Sequence, residues 1–296
     1  MSIGIALSGG GAKGAAHIGV LQALKEEGIN VDYISGASSG SIVATLYACG
    51  YLPLNMLYLF DRYYKYITDY DRFLPFKILS VLFTGKLNIK SLMIGKNLEK
   101  IISKACVQKS IEDIKDIKMP IAISTVDIDT GEIVYFLNKY VKNVEVSNRN
   151  RLLYDDIPSY VYNGQIASIV RASCGFPVAF APKLIDGRLL VDGGVRMNSP
   201  VSILKMMGAD KVIAVSFDDK IQGRHEYPNI VSAATKSFDI MGHQVNLPEL
   251  EKADYVIRPK LKYISLLEMK KSNYCANQGY KVVKENIEDI KKALLQ

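Results

Sequence analysis

Short apolar runs alternate along this chain with glycine-rich turns and with stretches whose apolar residues recur at helical spacing. Ile3 to Leu7 is apolar almost throughout and runs into Gly9-Gly10-Gly11; after Gly14 come Ile18, Leu21 and Leu24, which share one helical face. This predicts strand, glycine loop, helix, with Gly28 as a C-cap. The plan then repeats: Tyr33-Ile34 ends a strand, Gly36-Ala37-Ser38-Ser39-Gly40 makes a tight turn, and Ile42 to Cys49 forms a helix. Two such units in succession imply an α/β fold with a mainly parallel sheet. Further strands are expected at Ile121 to Val126, Val134 to Leu137, Val212 to Phe217 and Tyr255 to Ile257, with helices at Ser91 to Cys106 and near Ser199 to Met207. Lys183 to Val191 reads as a hairpin turning at Asp186-Gly187. The most apolar window, Ile42 to Phe60, is interrupted by Gly50, Pro53 and Asn55, so it reads as a buried helix followed by a turn rather than a membrane span.

Composition narrows the class. With 296 residues, 49% hydrophobic and 23% charged, the chain can bury a large core. No linker or low-complexity tract divides it, so one domain over 1–296 is expected, with a motif-bearing core over about 3–217 and further strand and helices over 218–296. The opening residues lack a basic segment before their short apolar run, which argues against a signal peptide. Cys49, Cys106, Cys174 and Cys275 stand far apart in sequence with no CxxC pair, the pattern of reduced, cytoplasmic thiols. The net charge of +7 is spread along the chain. Either solubility or peripheral attraction to an anionic membrane accounts for it, whereas no motif supports nucleic-acid binding.

The chemistry centres on Gly36-x-Ser38-x-Gly40. A serine on a sharp strand-to-helix turn projects its hydroxyl outward, and the following helix offers the positive end of its dipole to a developing anion. A second element, Gly9-Gly10-Gly11-Ala12-Lys13-Gly14, can aim several backbone amides at one anionic point. It suits an oxyanion hole, and its GxGxxG spacing also suits a dinucleotide. Against the dinucleotide, the acid expected after the second strand is missing, since Asp32 precedes that strand. The third element is Asp192-Gly193-Gly194, after the apolar arm Leu189 to Val191. Taken alone it is an ordinary turn. A Ser-His-Asp triad in hydrolase order would need His225 or His243; His17, on the first helix, reads as a packing or loop-bracing residue.

Together, Gly9 to Leu21, Gly36 to Gly40 and Asp192-Gly193-Gly194, in that order, resemble the bacterial patatin-like phospholipase family. The likeness extends through Gly85-Lys86-Leu87, Asp129-Thr130-Gly131-Glu132, Arg171 to Pro177 and Asn198-Ser199-Pro200. Two positions vary from the commonest family pattern, Ala37 where threonine is frequent and Gly194 where alanine is. The resemblance implies a three-layer sandwich and a lipid acyl hydrolase with a Ser-Asp dyad. Ser38 is then the nucleophile and Asp192 the base. The oxyanion donors fall in Gly9, Gly10, Gly11, Ala12 and Gly14, and Lys13, Gly36, Gly40, Gly193 and Gly194 support the motifs. No metal or other cofactor is implied.

The expected substrates are phospholipids, lysophospholipids or other fatty acyl esters, met in the cytoplasm or at the inner membrane face. A weak carboxylate base leads to the expectation that burial raises the pKa of Asp192 or that the helix dipole eases its task. Lys13 either positions an anionic head group or sits in solvent. Phe73 to Leu92, apolar with interspersed lysines, reads as core packing, with a lid or interfacial anchor as the alternative. A catalytically silent lipid-binding module and, less favoured, a dinucleotide-binding protein are the competing functions.

Overall fold

The computed structural model describes residues 1–67, 69, 92–141, 158–177, 179–217, 230–261, 264 and 268–296. The segment 73–91, Gly85-Lys86-Leu87 and His225 lie outside the described residues. The first unit is β1 (Ile3–Leu7) and α1 (Ala15–Glu26), joined by a 3-10 turn over Gly11–Gly14. The second is β2 (Tyr33–Gly36) and α2 (Ser39–Ala48). Next come α3 (Pro53–Ile67), α4 (Lys96–Val107), β3 (Ile121–Asp127), β4 (Ile133–Leu137), β5 (Ser159–Val161) and α5 (Ile166–Ser173). The chain continues with β6 (Lys183–Ile185), β7 (Arg188–Asp192), α6 (Ser202–Met207), β8 (Lys211–Val215) and α7 (Ile230–Leu250). It ends with β9 (Tyr255–Ile257), α8 (Ser272–Glu285) and α9 (Ile287–Leu295).

The strands form one mixed sheet in the order β5-β4-β3-β2-β1-β8-β9, with β7 also paired to β3 and β6 to β7. β3, β2, β1, β8 and β9 are mutually parallel. Alternating residues feed two cores, so both faces are covered and the strands read as continuous apolar runs. Ile5, Leu7, Ile34, Ile121, Ile123, Ile213 and Val215 face the larger core with α1, α2, α4, α5 and α8. Ala6, Ala122, Val212 and Ala214 face a smaller one built on α6. This is the α/β fold with a mainly parallel sheet that the repeated strand-turn-helix pattern implied, in the layered sandwich form that the family resemblance implied.

Several boundaries moved for identifiable reasons. α2 starts at Ser39, directly after Ser38, rather than at Ile42. The window Ile42 to Phe60 holds parts of two helices, because Pro53 opens α3, a position where its missing N–H is harmless. No helix among the described residues is long and apolar enough to cross a membrane. α4 begins at Lys96, not Ser91, since Gly95 before it sits in a left-handed conformation at φ 81°. α6 begins at Ser202, where the Glu249 carboxylate accepts the amides of Val201 and Ser202. The hairpin turns at Asp186 and Gly187 as expected, both at positive φ.

All four cysteines are free and buried, and the Cys49 and Cys106 thiols lie 3.9 Å apart. The end of the chain packs against its beginning. α8 lies along α1 so closely that a Cβ at Gly19 would collide with the Ala276 carbonyl, and one at Gly279 with that of Ala16.

Candidate active site

Register brings the three motifs together. Leu7 pairs with Gly36 and Val215, so the loops that leave β1, β2 and β8 emerge side by side at the carboxyl edge of the sheet. On the other flank Gly36 pairs with Ile123, and Thr125, two residues on, pairs with Asp192 in antiparallel β7. Asp192 therefore stands at the level of Ser38, although 154 positions separate them.

Ser38 holds φ 50° and ψ −126°, a conformation that is unfavourable for any residue with a side chain. Its surroundings enforce it. Gly36 and Gly40 face each other across the turn, and a Cβ at Gly36 would stand 2.6 Å from the Gly40 carbonyl. The Ser38 amide donates to Ser173 Oγ at 3.0 Å, and Ser173 in turn donates to the Ser124 carbonyl at 2.8 Å. Ser41 Oγ at 2.6 Å and Cys174 Sγ at 3.2 Å both donate to the Ser38 carbonyl. α5 thus braces the elbow from one side, and the first turn of α2 braces it from the other.

Asp192 is 2% exposed. Its Oδ1 accepts the Gly194 amide at 2.8 Å, and its own amide donates to the Gly175 carbonyl. Burial pushes its carboxyl up to about 6, while hydrogen bonding from the Ser38 hydroxyl and the Gly194 amide pulls it down. Oδ2 is buried and closes no bond of full hydrogen-bond geometry. Of the two expected ways to strengthen a weak base, burial is the one visible in the carboxyl itself.

The glycine loop lies over this pair. A Cβ at Gly9 would stand 2.8 Å from the Ser38 Cβ, and the Gly9 amide donates to Asn198 Oδ1 at 2.9 Å. That bond removes Gly9 from the expected oxyanion donors. Gly14 packs on the Ser39 side chain, 2.6 Å from where its Cβ would be, which gives it a spacing role. The amides of Gly10, Gly11 and Ala12 open the 3-10 turn, where N–H groups have no intrahelical acceptor. No described residue accepts a hydrogen bond from them. Gly193 sits against the Ser124 carbonyl, leaving no space for a side chain. Lys13 is half-buried in the same turn.

His17 is the bracing residue that its helical position suggested. It is wholly buried, its Nε2 lies 2.7 Å from the Ser8 carbonyl, and its ring packs on Phe217 at 4.6 Å. Burial lowers its pKa to about 4, so it is neutral at neutral pH and donates to Ser8. His243 is half-buried on α7, next to Gly242, where a Cβ would stand 3.9 Å from the Gly194 carbonyl. Sequence reasoning gave no role to Asn198 or Ser173. Both stand inside quoted motifs, yet nothing local says that Asn198 ties the glycine loop to the Asp192 turn or that Ser173 carries the elbow.

A layered α/β sheet with a serine elbow, a glycine loop and a buried carboxylate at one edge defines the class of protein. The chain belongs to the patatin-like phospholipase family, whose model matches residues 5–205. It is 28% identical over 244 residues to an uncharacterized NTE family protein of Mycobacterium bovis, a match that covers 78% of this chain and 53% of that protein. It is also 30% identical over 225 residues to Lysophospholipase NTE1 of Mycosarcoma maydis, covering 74% of this chain and 10% of the relative. The chain thus spans about half the length of the mycobacterial relative. Among solved structures, the ExoU-SpcU complex of Pseudomonas aeruginosa resembles it in fold, with a TM-score of 0.50 and 17% identity over all of this chain and 52% of that one.

Proposed function

We propose that the protein is a lipid acyl hydrolase in which Ser38 attacks a fatty acyl ester and Asp192 is its sole base. The observation that carries this reading is the pairing of a strained, braced Ser38 with a fully buried Asp192 whose carboxyl is raised to about 6. At neutral pH that carboxylate is mostly ionised and is a far better proton acceptor than an exposed one. It takes the Ser38 proton as Oγ bonds to the ester carbonyl carbon. Negative charge then develops on the carbonyl oxygen, where the amides of Gly10, Gly11 and Ala12 and the N-terminus of α2 stabilise it.

Collapse of the tetrahedral adduct expels the alcohol, which receives the proton from Asp192. Water then attacks the acyl-serine as Asp192 accepts its proton, and collapse of the second adduct releases the fatty acid while Asp192 returns that proton to Ser38 Oγ. Family membership supports phospholipid, lysophospholipid or related esters as substrates, with the spread positive charge favouring an anionic surface. His17 and His243 have no step in this scheme.

Fatty acid release from phospholipid, lysophospholipid and short-chain esters under chelator tests the reading. The expected result is turnover that disappears in Ser38→Ala and Asp192→Asn and survives in His243→Ala. Turnover that persists in Asp192→Asn and vanishes in His243→Ala replaces the dyad with a triad. Lipid binding without turnover in the unmodified protein instead makes this a silent module.

A further inference from the structure

The outer faces of α3 and α4 bound an open groove of about 410 Å³. α3 contributes Arg62 and Tyr66, and α4 contributes Asn97, Lys100 and Lys104, which their spacing sets on one face of the helix. The three cations are exposed, and none has a carboxylate partner among the described residues. Tyrosines hold Arg62 instead. Its Nη1 donates to the Tyr58 hydroxyl at 2.6 Å, and the guanidinium carbon lies 5.7 and 5.8 Å from the Tyr58 and Tyr63 ring centres. That hydrogen bond uses one of five N–H donors.

The acids nearest in sequence are engaged elsewhere. Asp61 accepts from Ser272 and Asn273, Asp69 accepts the amides of Gly95 and Asn97, and Glu99 meets Lys183 and Ser168. Other neighbouring cations share an acid, as Lys284 and Lys291 share Glu27 and Lys205 and Lys211 share Asp254. The groove therefore concentrates uncompensated positive charge. Such self-repulsion costs the fold free energy, and an external anion removes that cost.

The rim shows what kind of anion. Leu54, Tyr58, Arg62 and Tyr66 recur at every fourth position of α3 and form one stripe. Leu54, Tyr58 and Tyr66 are 66%, 58% and 61% exposed. Tyrosine and leucine in a row beside lysines are the composition that settles at the head-group level of a bilayer. A soluble phosphate needs the cations but not the row.

We infer that the α3–α4 groove docks the protein on a membrane, with Arg62, Lys100 and Lys104 on the phosphates of anionic lipids and Leu54, Tyr58 and Tyr66 among the head groups. The inference rests on the lipid reading above and deepens it, naming one surface in place of the spread charge. Phe60 and Leu98 of these helices share a core with Ile42 and Leu46 of α2, so the docked helices and the helix that follows Ser38 belong to one packed layer.

The test is flotation with vesicles of phosphatidylcholine alone and of an equal mixture with phosphatidylglycerol, using Ser38→Ala so that no lipid is consumed. Retention is expected on the anionic vesicles only, falling as salt rises. Lys100→Gln combined with Lys104→Gln should weaken it about twentyfold, because each lysine near such a surface contributes roughly fivefold. The same charge change at two exposed lysines outside the groove, Lys118→Gln with Lys292→Gln, should leave it nearly unchanged. The chain has no tryptophan, so Tyr66→Trp supplies a single reporter whose emission should shift to the blue on anionic vesicles. Equal losses in the two double variants, or retention of Tyr66→Trp without a shift, overturn the groove as the docking surface. Stabilisation by inorganic phosphate that requires Lys100 and Lys104, with no retention on vesicles, overturns the membrane as its occupant. Turnover of p-nitrophenyl butyrate, read with Ser38 intact, keeps the two readings apart. Groove-dependent retention without turnover removes only the hydrolase, and unchanged turnover in the Lys100 and Lys104 double variant, while retention falls, supports the groove.

Discussion

Ser38 and Asp186 hold nearly the same backbone angle, φ 50° and 47°, in two regions that have little else in common. Asp186 lies at the tip of a hairpin, followed by Gly187 at φ 79°, with nothing within 4 Å of where a Cβ on that glycine would stand. Its positive φ is a local choice, since Asp followed by Gly is a preferred pair for such a turn. Ser38 has no such local reason. Its conformation is imposed by distant partners, from Ser173 at the end of α5 and Cys174 just past it to the crowding of Gly36 on Gly40. A turn selected by its own residues can be altered cheaply, whereas a turn held by its surroundings stores strain, here at a half-buried serine.

The largest effect separating the two turns is on turnover. Ser38→Ala is expected to lower kcat/KM for a short-chain ester by about a thousandfold or more, with thermal stability nearly unchanged. No substitution at Asp186 should move that rate. Next is Asp192→Asn, with a loss of similar order and a change in pH dependence. The unmodified protein should gain kcat/KM as pH rises through about 6, where Asp192 ionises, and the residual rate of the variant should lack that rise.

The stability of the fold responds in the opposite sense. Because burial raises Asp192 from 3.8 to about 6, the native state binds its proton more tightly than the unfolded chain. Stability is greatest below the lower value and falls as pH climbs through the higher one. Asp192→Asn removes this slope, and chemical denaturation in mildly alkaline buffer should show a gain approaching about 3 kcal/mol.

A smaller change tests the bracing itself. Ser173→Ala removes the acceptor of the Ser38 amide and should lower kcat by about tenfold to a hundredfold with little change in KM. Its stability loss should be about 1 kcal/mol. Smallest is the strain comparison by urea midpoint. Ser38→Gly should stabilise the fold by about 1 kcal/mol, the relief of strain exceeding the added chain entropy. Asp186→Gly should stay within about 0.5 kcal/mol of the unmodified protein. Equal shifts at the two positions would mean that Ser38 is not strained by its setting.

What could be read from sequence divides along the same line. β1, the glycine loop, α1, the elbow and the hairpin were legible because local signals specify them: unbroken apolar runs, glycine spacing and an Asp-Gly pair. Asp192 was legible only through its company with the other motifs, since its burial depends on pairing with Thr125 across the sheet. α3 was missed because a proline was read as a break when it opened a helix. Helices were expected over 218–296 without bounds, and α8 was not placed because its buried face, Ser272, Cys275, Ala276, Gly279 and Val283, carries mostly small residues rather than a stripe of large apolar ones. Asn198 and Ser173 could be quoted as motif members, but their partners lie 189 and 135 positions away.

The seam between Gly19 and Gly279 also has a meaning in time. These contacts join positions about 260 residues apart, and a ribosome adding roughly 5–20 residues per second needs some tens of seconds to bridge them. Until then α1, the helix directly behind the glycine loop, exposes a bare strip of small residues with no partner to cover it. The seam can form only after Gly279 has been made, so a nascent polypeptide carries Ser38 long before α1 and the loop in front of it have their support.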